Sequence, residues 1–149
     1  MKTSDKLMQI ILVDDDTDDR LLFEEAFNEL DSGENLTIFK DGHEILDYLY
    51  TTTDIPDIVF LDLNMPILGG IDILREIRTD EKYQKLSVVI YSTSSAEKDI
   101  EDSLIAGANI YVKKPNDFET LKETLSKVIK MNWQFQSAEL NRETFVFVV

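Results

Sequence analysis

The 149-residue chain contains no cysteine. That excludes a disulfide framework and any thiolate metal site. Proline and glycine are scarce, at three and five residues, and no repeat or low-complexity segment interrupts the chain. The only histidine, His43, sits beside a turn at a helix start and reads as a surface residue, not a catalytic one. Basic residues are few: 15 Lys and Arg stand against 30 Asp and Glu, a net charge of −15. Such a surface repels phosphate backbones, which excludes direct nucleic-acid binding. It suits basic protein surfaces and divalent cations. No apolar run approaches a membrane span. The start, Met1-Lys2-Thr3-Ser4-Asp5-Lys6, is polar and lacks the apolar segment of a signal peptide. A soluble, cytoplasmic protein is expected.

With 43% hydrophobic and 30% charged residues, the chain is globular and long enough for one well-filled domain. Its apolar residues fall into short runs. Ile10-Ile11-Leu12-Val13 reads as a first strand and ends in the acidic run Asp14-Asp15-Asp16-Thr17-Asp18-Asp19. Residues 20–30 carry apolar side chains at helical spacing, and Asp16 or Thr17 can cap that helix. Leu36-Thr37-Ile38-Phe39 reads as strand two, and residues 43–50 as a helix with Ile45, Leu46 and Leu49 inward. Ile58-Val59-Phe60-Leu61 reads as a strand buried on both faces, with Asp62 at its carboxyl end. Met65-Pro66 and Gly69-Gly70 force a turn before a helix over 71–78. Ser87-Val88-Val89-Ile90-Tyr91 is strand four. A helix over 96–106 follows, stopped by Gly107. Asn109-Ile110-Tyr111-Val112 is strand five, and residues 117–130 form the last helix, burying Phe118, Leu121, Leu125, Val128 and Ile129.

Five strand–helix pairs with short connections predict an α/β fold, a parallel sheet covered by helices on both faces. The expected topology is flavodoxin-like, with strand order 2-1-3-4-5. All strand carboxyl ends then lie on one edge. That edge gathers Asp14, Asp15 and Asp16 from strand one, Asp62 from strand three, Ser92 and Thr93 from strand four, and Lys114 from strand five. Carboxylates this close repel one another, so a cation must hold them together. A divalent ion with oxygen ligands, Mg2+, is expected, with Lys114 as a second cation. Metal, hydroxyl and ammonium form a template for three phosphoryl oxygens. The reaction that fits is phosphoryl transfer onto Asp62, giving an acyl phosphate.

Ile11-Leu12-Val13-Asp14-Asp15, Leu61-Asp62-Leu63-Asn64-Met65-Pro66 with Gly69-Gly70, the hydroxyl of Ser92, and Lys114-Pro115 together resemble the receiver domain of two-component response regulators. The resemblance covers about residues 8–131. It implies that Asp62 is the phosphoacceptor and that Asp14 and Asp15 are the acidic pair, with Asp15 the direct metal ligand. It implies a metal contact from the Asn64 backbone carbonyl, a switch hydroxyl at Ser92 and a phosphate-pairing role for Lys114. It also implies a cis Lys114–Pro115 bond. Tyr111 takes the place of the aromatic switch, which turns inward when the hydroxyl moves to the phosphate. The partners implied are a histidine kinase or histidine phosphotransfer protein, and a downstream protein met through helix four, strand five and helix five. The protein is expected to be a stand-alone receiver and not an enzyme.

Two alternatives use the same residues. In a haloacid dehalogenase-like phosphatase Asp14 is the nucleophile and Asp16 its companion, although Thr17 and Asp18 complete that signature poorly. The other is a receiver-like interaction module that is never phosphorylated. A calcium loop over Asp14, Asp16, Asp18 and Glu25 is excluded, because Asp19 stands where that loop needs glycine.

The expected division is a receiver domain over residues 1–131 and a C-terminal extension over 132–149. Trp133, Phe135 and Leu140 are apolar, and Thr144-Phe145-Val146-Phe147-Val148-Val149 has high β-propensity. The extension is expected to add a strand to a sheet edge, of its own chain or of a second copy in a homodimer.

Overall fold

The computed structural model describes residues 8–31, 33–138 and 147–148, with side chains through residue 132. Strands β1 (Gln9–Val13), β2 (Asn35–Phe39), β3 (Ile58–Asp62), β4 (Ser87–Ser92) and β5 (Ile110–Lys113) alternate with helices α1 (Thr17–Leu30), α2 (Gly42–Thr51), α3 (Gly70–Thr79), α4 (Glu97–Ala106) and α5 (Phe118–Ala138). A short 3-10 turn, Glu81–Tyr83, precedes β4. The strand order is 2-1-3-4-5, all parallel, as the sequence pattern leads one to expect. A sixth strand, β6 (Phe147–Val148), pairs in parallel with β5, Ile110 opposite Phe147 and Tyr111 opposite Val148. Residues 133 and 135 lie in α5 with their side chains outside what is described, and residue 140, the run from Thr144 to Val146 and Val149 lie outside it altogether.

Strands β1, β3, β4 and β5 are buried on both faces, whereas the edge strand β2 is partly exposed, so each of the four divides its side chains by parity. Ile10, Leu12, Ile58, Phe60, Val89, Tyr91, Ile110 and Val112 face α1 and α5, packing with Phe23, Ala26, Phe27, Leu121, Leu125 and Val128. Ile11, Val13, Val59, Leu61, Val88, Ile90 and Tyr111 face α2, α3 and α4. Phe23, Phe60 and Tyr91 meet edge-on beneath the acidic edge, with centroids 5.1 to 6.3 Å apart. The helices lie within one residue of the expected bounds at most ends. α1 begins three residues early, at Thr17, and α5 runs on to Ala138, through the expected domain boundary at residue 131.

Arg78, on α3, staples the far side. Its guanidinium donates to the carbonyls of Gly107, Tyr83 and Leu86 and to Asn109 Oδ1. Asn109 Oδ1 also accepts from the Val88 amide at 2.9 Å. The α4–β5 connection is thereby tied to the start of β4, which helps fix where β5 delivers Lys114.

Candidate functional site

β1 ends at Val13, so Asp14 and Asp15 emerge at the carboxyl edge. Asp14 is fully buried and Asp15 exposed. Asp16 is the N-cap of α1 and accepts from the Asp19 amide at 2.9 Å. This satisfies one of the amides a helix start leaves unpaired. Asp16's own amide donates to Asp14 Oδ1 at 3.0 Å. The backbone of Asp14 is fixed as well, its carbonyl accepting from Arg20 Nη1 at 2.8 Å.

Asp62 closes β3 and is 5% exposed. Its neighbour across the sheet is Tyr91. Behind it, the start of α3 comes close. A Cβ placed on Gly70 would lie 2.5 Å from the Asp62 carbonyl oxygen and 2.9 Å from Leu63 Cα. Only glycine permits that approach, and the Gly70 amide uses it to donate to the Leu63 carbonyl at 3.0 Å.

Lys114 follows β5, and its amide donates to the Ser92 carbonyl at 2.7 Å. Its ammonium lies 2.8 Å from Asp19 Oδ2, 3.0 Å from Asp14 Oδ2 and 3.4 Å from Asp62 Oδ1. It also sits over the Tyr91 ring, 5.3 Å from the centroid, a cation–π position. Asp19, which in the sequence only marks the absence of a calcium-loop glycine, is thus a contact of Lys114. Its one sequence signal is helix register: Asp19 is the third residue of α1, on the turn that faces β5.

Burial and the neighbouring Asp14 charge push the Asp62 carboxyl up to about 7, against the pull of Lys114. Burial also raises Asp14 and the Tyr91 phenol. Burial alone would lower Lys114, but hydrogen bonding to Asp19 and the charges of Asp62 and Asp14 outweigh it and hold the ammonium well above its ordinary range. One ammonium therefore leaves the carboxylates under-compensated. Asp14, Asp15 and Asp62 each offer an oxygen within 4.8 Å of the other two. Three oxygen donors with excess negative charge fit a hard divalent cation.

Ser92 and Tyr111 lie on the opposite face of the sheet from Lys114, toward α4. Ser92 is fully buried, and its Oγ accepts from the Ser94 amide at 3.1 Å. The Tyr111 ring is buried, and its hydroxyl donates to the Ser94 carbonyl at 2.8 Å. Ser94 Oγ donates to Asp99 of α4 at 2.5 Å. The ring thus lies inward while the Ser92 hydroxyl is still engaged with Ser94. Asn64 is exposed in the loop after Asp62, and His43 is exposed at the start of α2. The expected cis bond at Lys114–Pro115 is corrected: no described peptide is cis. The trans form holds the local advantage of about 0.5–1 kcal/mol at such a bond.

The profile of the response regulator receiver domain matches residues 10–126. The chain is 34% identical over 125 residues to the chemotaxis protein CheY-3 of Vibrio cholerae, covering 84% of this chain and 94% of that one. The phosphorylated cyanobacterial phytochrome response regulator RcpA is 28% identical, with a TM-score of 0.76 over 91% of this chain and 98% of its own. The manganese-bound form of response regulator Rcp1 is 26% identical, with a TM-score of 0.72 over 81% of this chain and 91% of its own. These matches decide against a haloacid dehalogenase-like phosphatase with Asp14 as nucleophile. The acidic edge with Asp62 at the end of β3 is the phosphorylation pocket of a known architecture, and the chain belongs to the response regulator receiver domain family, the CheY-like phosphoacceptors of two-component signalling rather than catalytic enzymes.

Proposed function

We propose that Asp62 is the phosphoacceptor of this receiver. The observation that carries it is the position of Asp62 at the end of β3, beside Asp14 and Asp15 and 3.4 Å from the Lys114 ammonium. An Asp62 carboxylate oxygen attacks the phosphorus of a phosphohistidine. The P–N bond breaks, the P–O bond of an acyl phosphate forms, and the imidazole, already protonated on its other ring nitrogen, leaves as the neutral base. Lys114 pairs with one phosphoryl oxygen and the Ser92 hydroxyl with another. Asp14, Asp15, Asp62 and the Asn64 carbonyl would hold Mg2+. When bound, that ion neutralises charge on the transferring group. Asp14, Asp15 and Asp62 crowd negative charge where the phosphoryl group would arrive, so the ion would also offset their mutual repulsion.

Ser92 and Tyr111 form the switch. When the Ser92 hydroxyl turns to the phosphoryl oxygen it gives up the Ser94 amide, and the loop carrying the Ser94 carbonyl is the loop that holds the Tyr111 hydroxyl. Phosphorylation therefore biases the β4–α4 loop and the Tyr111 ring together. The phosphodonor is a histidine kinase or a histidine phosphotransfer protein of the cytoplasm. The readout is a protein contact through α4, β5 and α5. A second copy is a further partner, because the β5 edge that β6 fills can take the same segment from a neighbouring chain. The functional division is a receiver over residues 1–131 with an extension over 132–149.

Asp62→Asn should abolish acyl phosphate formation from acetyl phosphate while the circular dichroism stays native, because an amide is no nucleophile here. Phosphorylation at the wild-type rate would remove Asp62 from this role, and would also leave open the module that is never phosphorylated at this position.

A further inference from the structure

The Lys114 ammonium has three N–H donors, and in this structure three carboxylates surround it. Two of them, Asp14 and Asp62, belong to the acidic pocket. The third, Asp19, stands outside it on α1, yet makes the shortest contact, 2.8 Å. Its freedom to do so has a local cause. An acidic residue at the third position of a helix commonly reaches back to the N-cap amide. Here the Asp16 amide is already taken by Asp14 Oδ1. The Asp19 carboxylate is released from capping and extends across to β5.

The three carboxylates differ in what they can do when a phosphoryl group arrives. Asp14 is fully buried and anchored by Asp16 and Arg20. Asp62 carries the new group. Asp19 is 37% exposed on its side chain, so it alone has water to turn to. We propose that Asp19 is a positioning residue of the phosphoryl site: it holds the Lys114 ammonium in the unphosphorylated protein and competes for it with the phosphoryl group on Asp62. The inference rests on the reading of Asp62 and Lys114 given above. It adds a residue that sets how long the phosphorylated state lasts.

The sign of the effect is diagnostic. A phosphoryl oxygen must take one of the three N–H donors, and a carboxylate 2.8 Å from the same nitrogen opposes it by competition and by like charge. Removing that carboxylate strengthens phosphoryl binding. Removing a merely structural contact weakens it, because the lysine is left less ordered.

The test is beryllofluoride binding at saturating Mg2+, measured by titration calorimetry, with the acyl phosphate half-life as a second readout. Wild type, Asp19→Asn, Asp19→Glu and Asp62→Asn are compared. Asp19→Asn should bind beryllofluoride roughly threefold to tenfold more tightly and keep its phosphate longer. Asp19→Glu, which restores the charge, should return toward wild type. Should Asp19→Asn fail to fold, Asp19→Ala reads the same sign. Unchanged or weaker binding in the folded variant overturns the proposal. If wild type and Asp62→Asn bind beryllofluoride alike, the acceptor reading itself has failed and takes this proposal with it.

Discussion

At pH 7 the Asp62 carboxyl stands between its two protonation states, because burial and the Asp14 charge lift its pKa to about 7. In the unfolded chain it titrates near 3.8. The folded form therefore holds the proton more tightly than the unfolded form. Its contribution to stability is full below about 3.8 and is lost as pH rises to about 7; Asp14 shifts in the same direction. The metal-free protein should accordingly be more stable at pH 5 than at pH 8, by an amount on the order of a few kcal/mol. Urea denaturation at the two pH values measures this. Asp62→Asn should shrink the difference by raising stability at pH 8. An equal gap in the variant would place the pH dependence elsewhere. Divalent cation should have its largest stabilising effect at the higher pH, where the carboxylates are ionised.

At the scale of elements, the fold was legible because its signals are local. Apolar runs of four to six residues, each ended by a carboxylate, hydroxyl or lysine, mark strands and place their ends. The convergence of Asp62, Ser92 and Lys114 on one sheet edge was readable for that reason. The contact of Asp19 with Lys114 was not, since it depends on the register of α1 and on which amide Asp14 occupies. The loop after β3 shows the same limit of local reading. Gly69-Gly70 mark a turn in the sequence, yet the positive φ, 70°, falls on Ile67. That residue is β-branched and 94% exposed, and the conformation costs it about 1–2 kcal/mol. Gly69 lies at φ −79°, and Gly70 is needed for closeness to Asp62, not for its φ. Gly70→Ala should therefore push the start of α3 away from the Asp62 carbonyl, at a cost of about 1–3 kcal/mol. It should slow phosphorylation along with the loss of stability. Thermal unfolding and the acetyl phosphate rate check both. A variant of wild-type stability would mean that α3 shifts freely.

On the scale of the whole molecule, the extension changes what the sheet exposes. β6 covers the Ile110–Tyr111 part of the β5 edge, so among the described strands β2 and the two-residue β6 are the edges of the sheet. The backbone that β6 pairs with is that of Ile110 and Tyr111. If copies exchange this segment, the full chain should be a dimer by light scattering and a chain ending at Ala138 a monomer. A full chain that is already monomeric confines the pairing to its own sheet. The direction of β6 has a practical side. It runs parallel to β5, toward the edge where Lys114 meets Asp62, whereas β1 begins at the opposite edge. A fluorophore attached beyond Val148 would leave the sheet on the reactive side and report on events there. An affinity tag or fused reporter joined before Gln9 would approach from the far side, clear of the site.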